Sequence, residues 1–376
     1  MGKFNLLIIT HAYRWKRGGI QTIIENVIGN LPSEININLL TEQYSFDDRN
    51  DVNFIPTPFS LGRPNSKAEF LNGIDLINEV IDKIEPDAIL ASDAGLCSYF
   101  NFIKPEYKLY SYIHGNDIYK PWQLTPGFNT GQLIQDGLNK CKRLFCLSEF
   151  VKNKAELSGI TTEKSISPPG VNKSRLELNK TNSRIYINNK FHIPVDKTLI
   201  LTVARVVARK GHSNITKALL SLTADFQWII VGENKDKSIL EEIKGSLEKR
   251  VSIIGLVDAK DLALIYSACD LFVMFPTSLE NETDIEGFGL VYLEAASYGI
   301  LPIGSDAGGS SEALEKWCGG IVLPENDLEA LIQVFREVLE NRESLLQRGF
   351  ECEKRISRLN GWKMHTEYLI EIISQN

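Results

Sequence analysis

The sequence predicts an α/β protein of two doubly wound, Rossmann-like domains, and three observations support this fold class. The chain has 376 residues, of which 43% are hydrophobic, enough to bury two cores of ordinary size. In both halves, short apolar runs alternate with stretches of helical periodicity, the pattern of βα units that build a parallel sheet. Residues 172–194 are polar and lack a clear period, as expected of a linker with some ordered contact. We therefore predict domains at 1–178 and 195–360, followed by an amphipathic helix at 361–376.

The first strand is predicted at residues 4–10, and the loop after it leads to a helix that begins near Gly18 and Gly19. Ligands of open α/β sheets bind at the carboxyl ends of strands, so this loop is expected to face a binding site. A glycine pair there permits a ligand to approach the main chain, and it equally permits a simple turn. Both interpretations remain open.

The same loop carries three cations and an indole ring, at Arg14, Trp15, Lys16 and Arg17. This composition suits an anionic acceptor or the headgroups of an anionic membrane. A solvated loop is the alternative interpretation of these four residues.

Strands are also predicted at residues 88–92 and 109–113, and the second ends in a histidine followed by a glycine. His114 therefore lies at the carboxyl end of a strand, where it is a candidate for ligand contact, with a structural role as the alternative. Asp117 is a weaker candidate in the same loop.

The second half of the chain begins with a predicted strand at residues 198–204, and a basic loop follows it directly. Arg205 and Lys210 are expected to give a diphosphate two cations, and Gly211 marks the start of the next helix. Arg209 is the remaining cation of this loop, and we predict that it is a surface charge.

A glycine-rich helix start follows the apolar run at residues 271–275, which is typical of a buried parallel strand. Gly287 and Gly289 free the backbone, and helical spacing begins near Leu290. The unpaired N–H groups of such a helix start make a site for a phosphate. Glu286 and Glu294 frame this site, and carboxylates accept strong hydrogen bonds from sugar hydroxyls.

The block from Glu286 to Glu294, with the Gly-Phe-Gly between them and the Gly-Gly after the next strand, resembles the signature of family 4 of the retaining GT-B glycosyltransferases. The resemblance covers nearly the whole chain. It implies two domains facing each other across a cleft, with the C-terminal helix returning to the first domain. It also implies roles for residues that match the family's motifs: Glu286 and His114 on the donor sugar, Glu294 on the ribose, Arg205, Lys210, Phe288, Gly289 and Leu290 at the diphosphate, Gly19 at the donor phosphates or the acceptor, and Val257 at the nucleobase.

The family resemblance implies transfer of a hexosyl unit from a UDP- or GDP-sugar to a hydroxyl acceptor, with retention of anomeric configuration. No metal or other cofactor is expected, and the leaving phosphate would take the acceptor proton. A lipid-linked glycan of bacterial surface polysaccharide assembly is the expected acceptor, with weak peripheral membrane contact. One departure from the family pattern is Glu233-Asn234 after Gly232, where relatives often have a second glycine.

Two other functions are weighed against this one. A non-catalytic GT-B subunit that binds nucleotide or glycan and activates a partner would lack some ligand residues, whereas this chain has them all. A sugar-nucleotide epimerase would need further acid and base residues that the sequence does not reveal. The acidic insert at residues 279–285 invites a metal site, but its irregular spacing and lack of a nearby histidine favour a solvated loop.

Composition excludes some classes of partner. A net charge of -7 argues against a nucleic-acid-binding protein, which would carry a basic face. The six cysteines form no Cys-x-x-Cys pair and lie mostly in apolar runs, which indicates reduced core residues. No N-terminal run is long enough for a signal peptide or a membrane span. We predict a cytoplasmic protein that meets its acceptor at the inner face of the membrane.

Overall fold

The computed structural model describes residues 3–11, 13, 18–42, 51–62, 64–119, 123–125, 128–171, 178–278, 285–359 and 361–375. The chain forms two compact units. The first consists of Met1–Gly170 and Asn360–Asn376, and the second is Val171–Leu359.

The first unit contains a seven-stranded parallel sheet in the order β3-β2-β1-β4-β5-β8-β9, and β6 and β7 form a separate antiparallel pair. Strands β1 to β9 are Phe4–Thr10, Ile35–Thr41, Val52–Pro56, Ala88–Ala91, Leu109–Ile113, Gln123–Thr125, Phe128–Asn129, Arg143–Cys146 and Lys164–Ile166. Helices α1 to α5 are Gly19–Asn30, Lys67–Ile84, Asn116–Tyr119, Thr130–Asn139 and Glu149–Leu157, and a 3-10 helix spans Ala94–Phe102.

The second unit contains a six-stranded parallel sheet in the order β12-β11-β10-β13-β14-β15. Strands β10 to β15 are Thr198–Val203, Phe226–Val231, Val251–Gly255, Leu271–Val273, Leu301–Ser305 and Ile321–Leu323. Helices α6 to α12 are Lys180–Phe191, His212–Leu220, Lys237–Leu247, Ala259–Ala268, Leu290–Ser297, Leu328–Glu340 and Arg342–Ser357. Short 3-10 helices span Ala208–Lys210 and Glu248–Arg250, and a π-helix spans Glu312–Cys318.

Both sheets reverse their winding direction at one place, between β1 and β4 in the first unit and between β10 and β13 in the second. The central strands are predominantly apolar because helices cover both faces of a parallel sheet. Leu6, Leu7 and Ile8 of β1 and Ile200 of β10, for example, are fully buried. In such sheets a crevice opens at the carboxyl ends of the two strands that flank the reversal, and ligands bind there.

The polar stretch expected as a linker contains helix α6, which belongs to the second unit. Asn179 caps the helix by accepting hydrogen bonds from the N–H groups of Thr181 and Asn182. Only Ser183 and Ile187 are buried within the helix, which is why the sequence shows no clear hydrophobic period.

The last helix, α13, spans Gly361–Gln375 and packs within the first unit. His365 is buried, and its Nδ1–H donates to the carbonyl oxygen of Pro168 at 2.9 Å. Its Nε2 accepts the hydroxyl hydrogen of Tyr112 at 2.9 Å. Because burial lowers the pKa of His365 to about 4, the ring is neutral at physiological pH, and it joins α13 to β5.

Within the described ranges, no helix is both long and apolar enough to cross a bilayer. All six cysteines are buried free thiols.

Candidate functional site

The basic loop after β10 reaches the switch point of the second sheet through a tight turn at Gly211. The φ of Gly211 is +72°, in the left-handed region, and a Cβ on this residue would lie 1.7 Å from the carbonyl oxygen of Phe275. Only glycine fits this position. The turn brings the loop carrying Arg205, Arg209 and Lys210 against the chain that leaves β13.

Three charged side chains meet there in a buried cluster, which we call the ion triad: Arg209, Lys210 and Glu286. Oε2 of Glu286 accepts hydrogen bonds from Nη1 of Arg209 at 2.8 Å and from Nζ of Lys210 at 2.5 Å. The three side chains are 8%, 12% and 13% exposed. Burial alone raises the pKa of Glu286, but the charges of Lys210 and Arg209 outweigh it and hold that pKa at about 2.

The burial of Arg209 corrects the prediction that this residue is a surface charge. Arg205 is instead the exposed cation of the loop, and its charge helps to lower the pKa of Lys210. Burial is the largest cause of that lowering, and Glu286 opposes it. The 3-10 turn at Ala208–Lys210 explains why Arg209 is buried and Arg205 is exposed, because it directs the side chains of Arg209 and Lys210 toward Glu286.

The Gly-Gly after β14 supports the loop that carries Glu286. The N–H of Gly309 donates to the carbonyl oxygen of Glu286 at 2.8 Å. Gly308 has a φ of +64°, and a Cβ on it would lie 2.2 Å from the same oxygen. These glycines therefore fix the position of Glu286 through close packing of the main chain.

Helix α10 begins at Leu290, after Gly289 in the left-handed conformation with a φ of +88°. A Cβ on Gly289 would lie 2.5 Å from the ring of Tyr292. Phe288 and Gly289 are buried and Leu290 is partly exposed, and the N–H groups at this helix start are the predicted phosphate donors.

Glu294 lies inside α10 and accepts a hydrogen bond from the hydroxyl of Tyr266 at 2.9 Å. Burial raises the pKa of Glu294, and the bond from Tyr266 opposes this. Tyr266 itself stacks on Tyr298 with a ring separation of 5.3 Å. Sequence reasoning missed Tyr266, because it lies on α9 and meets Glu294 only after the two helices pack.

The remaining predicted positions of the second unit lie in loops at the carboxyl ends of β11 and β12. Val257 is partly buried in the loop between β12 and α9. Gly232 has a φ of +150°, and a Cβ there would lie 2.1 Å from the carbonyl oxygen of Ala204. The Glu233-Asn234 segment bonds to the basic loop, since the N–H of Val206 donates to the carbonyl oxygen of Glu233 at 2.9 Å.

In the first unit, His114 lies after β5 with its ring fixed by the main chain. Its Nε2–H donates to the carbonyl oxygen of Ser92 at 2.7 Å, and the ring stacks on Tyr112. Asp117 is buried and accepts hydrogen bonds from the N–H groups of Ala94, His114 and Gly115. Asp117 thus has a structural role, because it holds the two loops around His114 together.

Gly18 and Gly19 differ in their surroundings. A Cβ on Gly18 would lie 2.7 Å from Oε1 of Gln21, whereas a Cβ on Gly19 would have no atom of the described residues within 4 Å. Gly18 therefore accommodates a neighbouring side chain, and Gly19, the predicted donor-binding residue, is the first residue of α1.

Two residues that sequence reasoning did not single out also meet in this unit. His11 follows β1 and Asp93 follows β4, and Nδ1 of the histidine lies 3.1 Å from Oδ2 of the aspartate. The signal available in the sequence was their place directly after two predicted strands.

The predicted acceptor loop, with Arg14, Trp15, Lys16 and Arg17, lies outside the described residues, and so does the acidic insert except for Ile285. In the parts of the chain that the structure describes, no group of three or more histidine, cysteine, aspartate or glutamate side chains is arranged to hold a metal ion.

Comparison with known proteins identifies relatives of this chain. Residues 184–352 match the family described as glycosyl transferases group 1. The GDP-mannose-dependent monoacylated alpha-(1-6)-phosphatidylinositol monomannoside mannosyltransferase of Corynebacterium glutamicum is 23% identical over 98% of this chain and 97% of its own length. The putative teichuronic acid biosynthesis glycosyltransferase TuaC of Bacillus subtilis is 25% identical over 57% of this chain and 51% of its own length.

Among solved structures, Anabaena HepE in complex with UDP-glucose has a TM-score of 0.79 over 99% of this chain and 100% of its own, at 15% identity. At that identity the similarity is one of fold. Together with the two parallel sheets, it confirms the predicted fold class, two Rossmann-like domains of the GT-B type.

Proposed function

We propose that this chain, which belongs to the glycosyl transferases group 1 and has the GT-B fold, transfers a hexosyl unit from a nucleotide-diphosphate sugar to a hydroxyl acceptor. The donor is a UDP- or GDP-sugar, the anomeric configuration is retained, and no metal or other cofactor takes part. The observation that carries the proposal is the ion triad beside the glycine-capped start of α10.

Met274 lies between the two parts of this proposed phosphate site, Lys210 of the ion triad and the start of α10. Its sulfur lies 3.3 Å from Nζ of Lys210, and its methyl group lies 3.7 Å from where a Cβ on Gly289 would be. The ammonium group and the helix start therefore flank one side chain. A diphosphate at this place would receive a cation and main-chain N–H groups together.

The charge of the cluster suits a diphosphate. Arg209 and Lys210 carry two positive charges against the one negative charge of Glu286, and the exposed Arg205 adds a third cation beside Lys210. Negative charge grows on the diphosphate as its bond to the sugar breaks, so fixed cations in a site of low dielectric constant lower the barrier.

The remaining roles are proposals that follow from the family resemblance and the positions described above. Glu294, held by Tyr266, binds the ribose, and the main chain near Val257 binds the nucleobase. Glu286 and His114 contact the donor sugar, and Gly19 gives the donor or acceptor access to the main chain.

A lipid-linked glycan is the proposed acceptor. The relative from Corynebacterium is named as a phosphatidylinositol monomannoside mannosyltransferase, and TuaC as a putative glycosyltransferase of teichuronic acid biosynthesis. The cations at Arg14, Lys16 and Arg17 would favour an anionic lipid surface, so we propose weak peripheral contact at the inner face of the membrane.

The direct test is a thermal-shift panel of UDP-, GDP- and ADP-sugars, followed by transfer assays with the stabilising donor. A ligand that binds only the folded state raises the melting temperature. We expect a UDP- or GDP-sugar to stabilise the protein, EDTA to leave transfer unchanged, and NMR of the product to show retained configuration. Stabilisation without transfer to any lipid-linked acceptor would favour the non-catalytic subunit instead.

A further inference from the structure

Glu294 lies on the partly exposed face of α10, beyond the proposed phosphate site at the start of this helix. Leu290, Val291 and Glu294 are partly exposed, whereas Tyr292 and Leu293 are buried. Residues four apart in a helix share a face, so Leu290 and Glu294 lie on one side, about 6 Å apart along the axis. Long side chains of a helix lean toward its N-terminus. A ribose joined to a phosphate at the helix start can therefore reach the carboxylate of Glu294.

The two oxygens of this carboxylate have different surroundings. Oε2 accepts the hydroxyl hydrogen of Tyr266 at 2.9 Å, and Oε1 has no hydrogen-bond partner among the described residues. Within the same part of the chain, no cation acts on Glu294. Burial raises the pKa of this carboxyl, and the bond from Tyr266 opposes that effect. Tyr266 therefore favours the ionised carboxylate and leaves Oε1 as a hydrogen-bond acceptor.

Asp261, another carboxylate of the second unit, shows what full pairing looks like. It is 5% exposed, and both of its oxygens accept hydrogen bonds from Nζ of Lys190, at 2.9 and 2.8 Å. Its Oδ1 also accepts the hydroxyl hydrogen of Tyr186 at 2.8 Å. A cation and bonds to both oxygens thus compensate for the burial of Asp261. Glu294 has a tyrosine hydroxyl alone, which leaves one oxygen for a ligand.

The ring of Tyr266 is fixed by its neighbours. It is 2% exposed and stacks on Tyr298, with ring centroids 5.3 Å apart and planes inclined by 8°. The ring of Phe272, on β13, lies 6.3 Å away. The hydroxyl of Tyr266 is therefore in place before a ligand arrives, and a carboxylate oriented in advance loses less conformational entropy on binding.

We infer that Tyr266 is a positioning residue for the donor: its hydroxyl holds Oε2 of Glu294, so that Oε1 accepts a hydrogen bond from one ribose hydroxyl. The inference rests on the proposed function, because it concerns binding of the same nucleotide. It also makes the pair of side chains a determinant of specificity. A deoxyribose leaves Oε1 without a donor, and a polar group that loses its partner in a binding site lowers affinity.

The test is calorimetric titration of UDP and GDP, and of the 2′-deoxy and 3′-deoxy forms of the nucleotide that binds, into wild type and Tyr266→Phe. Wild type should bind the ribonucleotide about 10-fold more tightly than one of the deoxy forms. In Tyr266→Phe the ratio should fall to about 3-fold or less, because Glu294 loses its orientation. The wild-type ratio in Tyr266→Phe, or equal binding of all three forms by wild type, would overturn the inference.

Inorganic diphosphate shows whether the phosphate site of Tyr266→Phe is intact. It should displace the nucleotide from wild type and from Tyr266→Phe with the same affinity, since the change lies beyond the phosphate site. Weaker binding of inorganic diphosphate to Tyr266→Phe would overturn the inference, because Tyr266 would then support the whole site and not the ribose contact.

Tyr186→Phe is the matched control. It removes a tyrosine hydroxyl that donates to a carboxylate of the same helix, Asp261 of α9, and should keep the wild-type preference for the ribonucleotide. Loss of that preference in Tyr186→Phe would overturn the inference, since the effect would then follow from the packing of α9.

A double variant shows whether Tyr266 acts through Glu294. Glu294→Gln alone should remove most of the preference for the ribonucleotide, and adding Tyr266→Phe should cause no further loss. Losses that multiply in the double variant would overturn the inference. The proposed function fails if neither UDP nor GDP binds the wild type. If one of them binds and Tyr266→Phe keeps the wild-type ratio, the inference alone fails.

Discussion

Arg209 and Glu286 form an ion pair whose contribution to the free energy of unfolding depends on pH. The pKa of Glu286 is about 2 in the folded protein against an ordinary value of 4.5. A lowered pKa stabilises the folded state above pH 4.5, and the contribution is lost as the pH falls toward 2. A difference of this size corresponds to roughly 3 kcal/mol in the free energy of unfolding, because one pKa unit is about 1.4 kcal/mol.

We expect Arg209→Met to destabilise the protein by about 2 kcal/mol at pH 7, since Glu286 keeps Lys210 but loses its second cation. Transfer activity should fall at least 10-fold because Glu286 is no longer held in place.

Arg205→Met is the matched control: it removes an exposed cation and should weaken nucleotide binding without changing the melting temperature. Thermal unfolding between pH 7 and pH 3 checks this, and the difference between Arg209→Met and wild type should shrink toward acid pH. Equal melting temperatures at pH 7 would contradict it.

The residues of the candidate site differ in whether neighbouring residues in the sequence were enough to predict them. Glu286, Glu294 and Lys210 belong to short motifs beside glycines, so the sequence alone was enough to select them. Arg209 was misassigned because three neighbouring cations look alike, and its partner lies 77 residues away. His11 and Asp93 are 82 residues apart and meet only because β1 and β4 pair.

Among the elements, strands were the easier to predict. The strands predicted at 4–10 and 109–113 have the same bounds as β1 and β5, because a buried parallel strand forms a mostly apolar run. Helix α6 was missed because its contacts are polar. Arg184 and Lys180 of that helix pair with the buried carboxylate of Asp270, and no hydrophobic period marks such a surface.

The turn at Gly211 is the element-scale feature on which the phosphate site depends. We expect Gly211→Ala to destabilise the protein by several kcal/mol and to abolish nucleotide binding, since the new Cβ would overlap the carbonyl oxygen of Phe275. Gly245→Ala inside α8 is the control, because no atom of the described residues lies within 4 Å of its added Cβ. That change should stabilise by about 0.5–1 kcal/mol. Chemical denaturation measures both, and similar stabilities of the two variants would refute the role of the turn.

At the scale of the whole molecule, the alternation of apolar runs and helical segments was sufficient for the fold class, which the two sheets confirm. Strand order was not predictable in the same way. It depends on which strands pair after the chain collapses, and no local pattern records that choice.

The net charge of -7 bears on membrane contact, since it opposes binding to an anionic surface. Each cation of the loop with Arg14, Lys16 and Arg17 contributes about 1 kcal/mol near such a surface. We expect weak binding to vesicles rich in phosphatidylserine that weakens with salt, and loss of that binding when these three residues are changed to serine. Donor affinity should stay the same. If wild type and the triple variant sediment equally with vesicles, the loop is a solvated turn.

Calorimetric titration of UDP and GDP into wild type, Lys210→Ala and Lys217→Ala is the measurement that tests most directly whether the ion triad binds a diphosphate. Lys217 is an exposed cation on α7 and serves as the control for loss of charge alone. We expect one of the two nucleotides to bind the wild type and Lys217→Ala alike, and to bind Lys210→Ala at least 30-fold more weakly, about 2 kcal/mol. Undiminished affinity in Lys210→Ala would contradict the assignment of the phosphate site.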